Sequence, residues 1–306
     1  MKKYFAVLLA LVSVFTACSC MREENPENGK IKVVATLFPQ YDFARQIAGD
    51  KAEVSLLLPL GADSHSFDPS IRDLMKIKES DVFIYTGDAM ENWASGFISA
   101  LSEDCEILDV SGAVELLCVD GHSHSHGEEH TDADPHIWTS PENAVLITTH
   151  ILSAMCNADP ENAEYYQKNA TAYIGQLTKL DDDIREVVDS SANKKLYFGG
   201  KFSFLYFTEH YGLEYMSLYD SCSESAEPGA KRLTEMVNEM TENSIPAILY
   251  PELSEPKAAR AVSERTGAKP LLFHSCHNLS VDDFSAGKTY ISIMYENLEN
   301  LKEALS

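Results

Sequence analysis

The chain has 306 residues, of which 44% are hydrophobic, so it can bury a substantial core and is long enough for two domains. Acidic residues outnumber basic residues by 48 to 24, which gives a formal net charge of −24 at pH 7. This balance argues against nucleic acid as a partner, because neutralising phosphates requires basic patches. It raises the local concentration of cations, although solubility alone would explain the same charge.

The N-terminus carries the pattern of an export signal. Two lysines precede an apolar run over 4–17, which is too short for a stable membrane-spanning helix but suits a signal-peptide core. A small residue stands directly before Cys18, as in a bacterial lipobox, and ordinary cleavage near Cys18 or Cys20 is the alternative. We therefore expect a signal peptide over 1–17 and a tether over 18–30 whose lipid anchors the exported protein to a membrane outside the cytoplasm.

Eight short strand-like runs alternate with helical patterns along the rest of the chain. They lie at 31–36, 53–58, 81–85, 106–110, 195–198, 213–218, 246–250 and 269–273. Strands that alternate with helices predict parallel sheets with right-handed crossovers. The predicted fold class is therefore α/β, with two four-stranded parallel-sheet lobes over 31–158 and 192–306.

A single long helix is predicted between the two lobes. The segment 160–190 has no internal proline, and its apolar residues keep a helical three-four spacing. A helix of that length extends roughly 45 Å at 1.5 Å per residue. We expect the linking segment, 159–191, to act as a rigid backbone that limits hinge motion between the lobes.

One segment of the first lobe, 120–134, breaks the alternating pattern. It is rich in Gly, Ser, Glu and Asp and has no hydrophobic periodicity, which predicts a loop. Imidazoles that alternate with small residues in an exported protein indicate an auxiliary, low-affinity metal-capture loop, the alternative being a solvated polar loop. The residues concerned are His122, His124, His126 and His130.

Histidines follow the ends of several predicted strands. Parallel α/β sheets bind ligands outside the carboxyl ends of their strands, and imidazole nitrogen is a preferred zinc ligand. His65 follows the second strand and His136 follows the fourth, each close to a proline. His274 follows the eighth strand, where His277 competes with it. The sequence thus predicts His65, His136 and His274 as metal ligands.

Several motifs occur in the order typical of one known family. They are 61–70, 80–85, 134–138, 204–213 and 250–253. On these motifs the chain resembles the cluster A-I metal-binding proteins of ABC transporters, the ZnuA/TroA-like family, from about residue 31 to residue 305. The resemblance implies one metal between two lobes, held by one residue from each of four loops. The histidine loop is similar to that of the zinc-handling members.

The resemblance also implies a departure from the family's ligand pattern. His65 and His136 match the first two ligand positions, and His274 lies where the last ligand falls, usually an acidic residue. The third position, commonly His or Glu, aligns with Lys201, whose amine would have to lose a proton to bind a metal. Water, a loop histidine, His277 or a nearby carboxylate such as that of Glu252 is then expected to complete the shell.

Two cysteines of the second lobe follow neighbouring strand ends. Cys222 comes after the sixth predicted strand and Cys276 after the eighth, in a compartment that permits disulfides. We expect a disulfide between them that fixes the loop bearing His274. Cys276 as a metal ligand is the alternative.

The function expected from these features is that of a solute-binding lipoprotein, not an enzyme. It would capture Zn²⁺ as a monomer and deliver it to the permease of an ABC importer. Nitrogen ligands favour zinc over manganese, which prefers carboxylate oxygen, whereas copper and nickel also bind nitrogen sites. The alternatives are a surface metal-binding adhesin and a zinc hydrolase, although the sequence has no HExxH motif.

Overall fold

The structure, a computed structural model, describes residues 29–99, 101, 105–118, 133–219, 229–253 and 256–306. Within them no helix is long and apolar enough to cross a bilayer. The residues from Ile31 to Ser306 belong to one unit. The predicted signal peptide, nearly all of the tether, the four loop histidines and Cys222 lie outside the described residues.

The first sheet is parallel throughout, with strand order β2-β1-β3-β4. Its strands are β1 (Ile31–Ala35), β2 (Ala52–Leu56), β3 (Val82–Tyr85) and β4 (Glu106–Asp109). Its helices are α1 (Phe38–Ala48), α2 (Ile71–Lys78), α3 (Ala94–Ile98) and α4 (Pro141–Ala158). All four residues of β3 are buried, as expected for a central strand covered on both faces.

The second sheet repeats this arrangement, with strand order β6-β5-β7-β8. Its strands are β5 (Lys195–Phe198), β6 (Glu214–Ser217), β7 (Ala247–Tyr250) and β8 (Lys269–Leu272). Its helices are α6 (Leu205–Tyr211), α7 (Ala230–Glu242), α8 (Lys257–Thr266), α9 (Val281–Ser285) and α10 (Tyr290–Ala304). The predicted fold class, two four-stranded parallel-sheet lobes, is confirmed.

The long helix α5 (Ala163–Ser190) follows a short 3-10 turn and contains 28 residues, or about 42 Å. It contacts α1 and α4 of the first lobe and α10 of the second. One apolar core includes residues of both sheets and of this helix. Its buried face keeps the predicted three-four spacing through Tyr166, Ala170, Tyr173, Leu177, Leu180, Ile184 and Val188. A helix packed in this way couples the two lobes through a shared core.

A buried carboxylate joins the ends of β1 and β3. Glu91 is 3% exposed, and its Oε1 accepts hydrogen bonds from the hydroxyls of Thr36 at 2.5 Å and Thr86 at 3.0 Å. Its Oε2 accepts from the backbone N–H groups of Thr86 and Gly87. Burial raises the pKa of Glu91 to about 7, because the loss of hydration outweighs these hydrogen bonds.

The raised pKa of Glu91 predicts a pH-dependent stability. The pKa of Glu91 in the folded protein lies above the ordinary value of 4.5, so the folded state holds its proton more tightly than the unfolded state does. The stabilisation that results is fully present below pH 4.5 and is lost as the pH rises through 7. The loss amounts to about 3 kcal/mol of unfolding free energy. Urea titrations between pH 4.5 and 8 should show this slope in the wild type. Glu91→Gln should remove it, whereas the exposed-site control Glu79→Gln should keep it. A pH-independent difference between wild type and Glu91→Gln would contradict the prediction.

Candidate metal site

His65 stands on the loop after β2, at the edge where the strands of the first sheet end. Gly61 begins this loop with φ +75°, a conformation that glycine adopts without strain. Its N–H donates to the carbonyl of Leu279, 2.8 Å away in the second lobe. From the same lobe the buried amide of Asn278 donates to two backbone carbonyls of this region, at 2.7 and 3.0 Å. The second lobe thus fixes the loop, while the His65 side chain is exposed.

His136 is buried and is oriented by a carboxylate. Asp134 Oδ1 accepts the backbone N–H of His136 at 2.8 Å and lies 2.7 Å from its Nδ1. This contact holds the proton on Nδ1 and leaves the lone pair on Nε2, as in carboxylate–histidine pairs at metal sites. Burial alone would raise the pKa of Asp134, but the imidazole of His136 and its hydrogen bonds hold that pKa below its usual range.

His277, from the loop after β8, is oriented through a serine. Glu252 accepts the Ser275 hydroxyl at 2.5 Å and the Ser275 backbone N–H at 2.7 Å. The Ser275 oxygen in turn contacts Nδ1 of His277. A serine that donates to Glu252 accepts the Nδ1 proton, so the lone pair of His277 lies on Nε2. That atom is buried and has no hydrogen-bond partner in the described part of the chain.

The pKa shifts agree with this arrangement of protons. Burial lowers the pKa of the His277 imidazole, which favours the neutral form that a metal needs. Burial would raise the pKa of Glu252, but the imidazoles of His274 and His277 and the Ser275 hydroxyl hold it well below its usual range. A neutral imidazole therefore stands beside an ionised carboxylate.

Three imidazoles converge in the cleft. Candidate ligand atoms of His65, His136 and His277 all lie within 4.8 Å of one another. The Nε2 atoms of His65 and His136 are 3.3 Å apart. Two nitrogens bound tetrahedrally to one zinc are separated by about 3.3 Å, since each Zn–N bond is about 2.0–2.1 Å. The separation of these two nitrogens therefore fits a small cation with tetrahedral coordination.

Lys201 lies beside this group but not in it. It lines a cavity of about 140 Å³ together with His65, His277 and Glu252. Its Nζ is 3.7 Å from Oδ2 of Asp63. Glu252 lines the same cavity, but its carboxylate accepts two hydrogen bonds from Ser275 and is not part of the histidine cluster.

Of the two histidines that follow β8, the structure places His277 in the cluster and His274 outside it. His274 is 5% exposed, and its Nδ1 accepts the backbone N–H of Cys276 at 2.9 Å. Asn297 binds its backbone N–H and carbonyl. Cys276 has φ +63°, which reverses the chain so that the next side chain, His277, reaches the triad.

The predicted disulfide involves Cys222, which lies outside the described residues, so it stays a prediction. Cys276 has a free thiol that is fully buried, and its Sγ lies 3.9 Å from the carbonyl of His274. Burial raises the pKa of this thiol well above its usual value, so it is held as a neutral thiol. Hydrogen bonds to Asn297 and Glu252 fix the loop after β8.

An aromatic wall that the sequence did not predict supports the triad. The indole N–H of Trp138 donates to the carbonyl of Ser275 at 2.7 Å. The Trp138 ring meets that of His277 edge to face, with centroids 5.2 Å apart. Tyr290 donates its hydroxyl to the carbonyl of Trp138 at 2.7 Å. His136 and Trp138 are only two residues apart in the sequence, so both side chains extend from one loop. This spacing could have indicated that Trp138 lies near the site.

The fold and this site define a class: two-lobed α/β proteins with a histidine metal site in the cleft. The chain belongs to the family described as zinc-uptake complex component A periplasmic, ZnuA, whose model matches residues 33–304. The family is one of zinc uptake rather than of enzymes.

Individual relatives agree with this family. The zinc-binding lipoprotein AdcA of Streptococcus pneumoniae (strain ATCC BAA-255 / R6) is 33% identical over 99% of this chain, and the chain spans 61% of AdcA's length. The high-affinity zinc uptake system protein ZnuA of Bacillus subtilis (strain 168) is 31% identical over 98% of this chain and 96% of its own length. The crystal structure of the Zn(II)-bound ZnuA-like domain of S. pneumoniae AdcA superposes with a TM-score of 0.77 at 30% identity, covering 90% of this chain and 99% of that domain.

Proposed function

We propose that the protein captures Zn²⁺ in the cleft with His65, His136 and His277 as ligands and delivers it to the permease of an ABC importer. The observation that carries the proposal is the convergence of three imidazole groups, one of them with a buried and unpartnered Nε2. Within the triad, Nδ1 of His136 contacts the carboxylate of Asp134, and Nδ1 of His277 is linked to the carboxylate of Glu252 through Ser275. Such outer partners orient metal ligands.

The chemistry of the ligands favours zinc over manganese. Neutral imidazole nitrogens suit zinc, whereas manganese prefers carboxylate oxygen. Two nearby carboxylates, those of Asp134 and Glu252, accept hydrogen bonds that orient His136 and Ser275. They supply two negative charges close to a divalent cation without taking up its coordination positions.

Export and anchoring complete the proposal. Cys18 would carry the lipid, and the tether that follows it would hold the two-lobed unit at a membrane outside the cytoplasm. The loop histidines at 122, 124, 126 and 130 would collect additional zinc with low affinity. The name of the relative AdcA, a zinc-binding lipoprotein, supports this part of the proposal.

The metal content of natively purified protein tests the proposed cargo. We expect close to one tightly bound zinc per chain once weakly bound metal has been removed by dialysis. Competition with a chromogenic chelator should rank zinc above manganese. Protein that binds manganese more tightly than zinc, or that retains no metal at all, would overturn the proposal.

Glu252→Gln is expected to weaken zinc binding by about 10–100-fold, the usual cost of removing an outer partner of a metal ligand. The amide replaces an acceptor-only carboxylate, so the Ser275 hydroxyl loses its fixed direction and His277 is no longer held in one orientation. The measurement is a competition titration of apo protein. Glu264→Gln, on the exposed face of α8, is the matched control and should bind zinc like the wild type. Equal affinities for the two variants would contradict the role of Glu252.

A further inference from the structure

Among the residues that the structure describes, the three histidines leave one coordination position of a tetrahedral metal without a protein ligand. In the described part of the chain, no fourth His, Cys, Asp or Glu joins His65, His136 and His277. Zinc with three protein ligands keeps its fourth position for water or for another small ligand. Two of the three imidazoles, those of His65 and His277, face the cavity of about 140 Å³. The open position is therefore expected on that side.

The wall of the cavity carries a basic side chain, Lys201, on a tightly packed backbone. Lys201 follows the Gly199-Gly200 turn, which packs tightly: a Cβ on Gly200 would lie 2.3 Å from the ring of Pro251. This close approach holds the backbone that presents Lys201 to the cavity. Lys201 thus places an ammonium group at the position where the family resemblance implies a metal ligand. This group repels a bare divalent cation and attracts an anion.

The present partner of Lys201 is weakly held. Its Nζ is 3.7 Å from Oδ2 of Asp63, and the two side chains are 35% and 41% exposed. Exposed pairs of this kind contribute little to stability. Asp63 is also held by its other oxygen, which accepts the backbone N–H of His65 at 2.8 Å. Lys201 can therefore turn toward an incoming anion while Asp63 stays in place.

We propose that the metal-loaded cleft binds a small carboxylate-type oxyanion, such as bicarbonate or a short monocarboxylate, as a co-ligand. One oxygen of the anion takes the fourth position on the metal, and the other accepts a hydrogen bond from Lys201 Nζ. A planar anion with two oxygens suits a small cavity that is lined by both a metal site and an ammonium group. The inference rests on the proposed metal site at His65, His136 and His277, and it makes Lys201 the residue that recognises the anion.

Cobalt provides the test, because the visible spectrum of Co²⁺ reports its coordination. Apo protein is first titrated with Co²⁺ and the loaded protein is then titrated with sodium acetate, sodium bicarbonate or uncharged acetamide at constant ionic strength. We expect one Co²⁺ per chain and a saturable spectral change with acetate or bicarbonate but not with acetamide. The relative half-saturating concentrations of acetate and bicarbonate distinguish an organic carboxylate from bicarbonate as the preferred co-ligand.

Variants assign the effect to Lys201. Lys201→Met should still bind Co²⁺. It should raise the half-saturating anion concentration by roughly tenfold or more, because one charge-assisted hydrogen bond to the anion is lost. Lys231→Met, at a side chain that is 91% exposed, is the control and should behave like the wild type. Asp63→Asn keeps an oxygen for the His65 N–H but releases Lys201, so it should lower the half-saturating concentration by roughly threefold.

The two proposals fail at different steps. A chain that binds no Co²⁺ in the first titration overturns the metal site and, with it, the co-ligand. A chain that binds Co²⁺ normally, but whose spectrum does not respond to acetate or bicarbonate, overturns the co-ligand alone. Anion binding of equal strength in the wild type and in Lys201→Met also overturns the role given to Lys201.

Discussion

His136→Ala is expected to weaken zinc binding by more than about a hundredfold, beyond the 10–100-fold range typical of outer-partner mutations. The imidazole of His136 is the most buried of the triad, at 1% exposed, and its Nε2 lies 3.3 Å from that of His65. Its removal leaves two protein nitrogens and also leaves the buried Asp134 without its main partner. Competition titration with a chelator of known affinity measures the loss.

His65→Ala separates a ligand effect from a folding effect. The His65 side chain is exposed, so its truncation should leave the free energy of unfolding of the zinc-free protein within about 0.5 kcal/mol of wild type. Zinc affinity should nevertheless fall by a similar factor to that in His136→Ala. The exposed His150, whose Nδ1 contacts the carbonyl of Leu146 on α4, provides the control: His150→Ala should not change zinc binding. Wild-type zinc affinity in both His65→Ala and His136→Ala would refute the site.

The same titration distinguishes the two histidines that follow β8. His277→Ala should lose zinc affinity to a similar degree as His65→Ala. His274→Ala should act mainly on stability, because Nδ1 of His274 accepts a buried backbone N–H that would be left without an acceptor. A larger loss of zinc affinity in His274→Ala than in His277→Ala would restore the original sequence prediction.

The fold was predictable because strands and helices leave periodic patterns in a single sequence. The predicted strand 246–250 corresponds to β7 (Ala247–Tyr250), and 31–36 corresponds to β1 (Ile31–Ala35). Short apolar runs between helical patterns predict buried parallel strands joined by right-handed crossovers, whereas the strand order in each sheet was not predicted. The long helix was predictable for the same reason, from its three-four spacing.

The candidate site was predictable only in part. His65 and His136 follow strand ends, where parallel sheets bind ligands, so topology alone brings them to one edge. Choosing between His274 and His277 requires the local chain path. That path depends on φ +63° at Cys276, a non-glycine residue whose left-handed conformation has no sequence signature. The long-range bond between Glu252 and Ser275 likewise depends on side-chain geometry across two strand ends.

A second large effect is expected at a buried carboxylate shared by three helices. Asp42→Ala should lower the free energy of unfolding by about 3–5 kcal/mol, the usual cost of breaking a buried charged network from one side. The Asp42 side chain on α1 is fully buried. It accepts a hydrogen bond from Arg45 Nε at 2.6 Å, from the Tyr290 backbone N–H at 2.8 Å and from the Tyr173 hydroxyl at 3.4 Å.

These contacts join the first lobe, the long helix and the start of α10 in the second lobe, so Asp42 couples the lobes as well as stabilising them. Its charge also lies at the N-terminus of α10, where a carboxylate is favourable.

Urea unfolding of zinc-free protein should give one transition in the wild type and a lower midpoint in Asp42→Ala. The exposed control Asp50→Ala should remain within about 0.5 kcal/mol of wild type. Asp42→Asn should lose less than Asp42→Ala, because its amide oxygen still accepts the Tyr290 N–H. Two separate transitions in the wild type would contradict the shared core, and an unchanged midpoint in Asp42→Ala would contradict the role of this carboxylate.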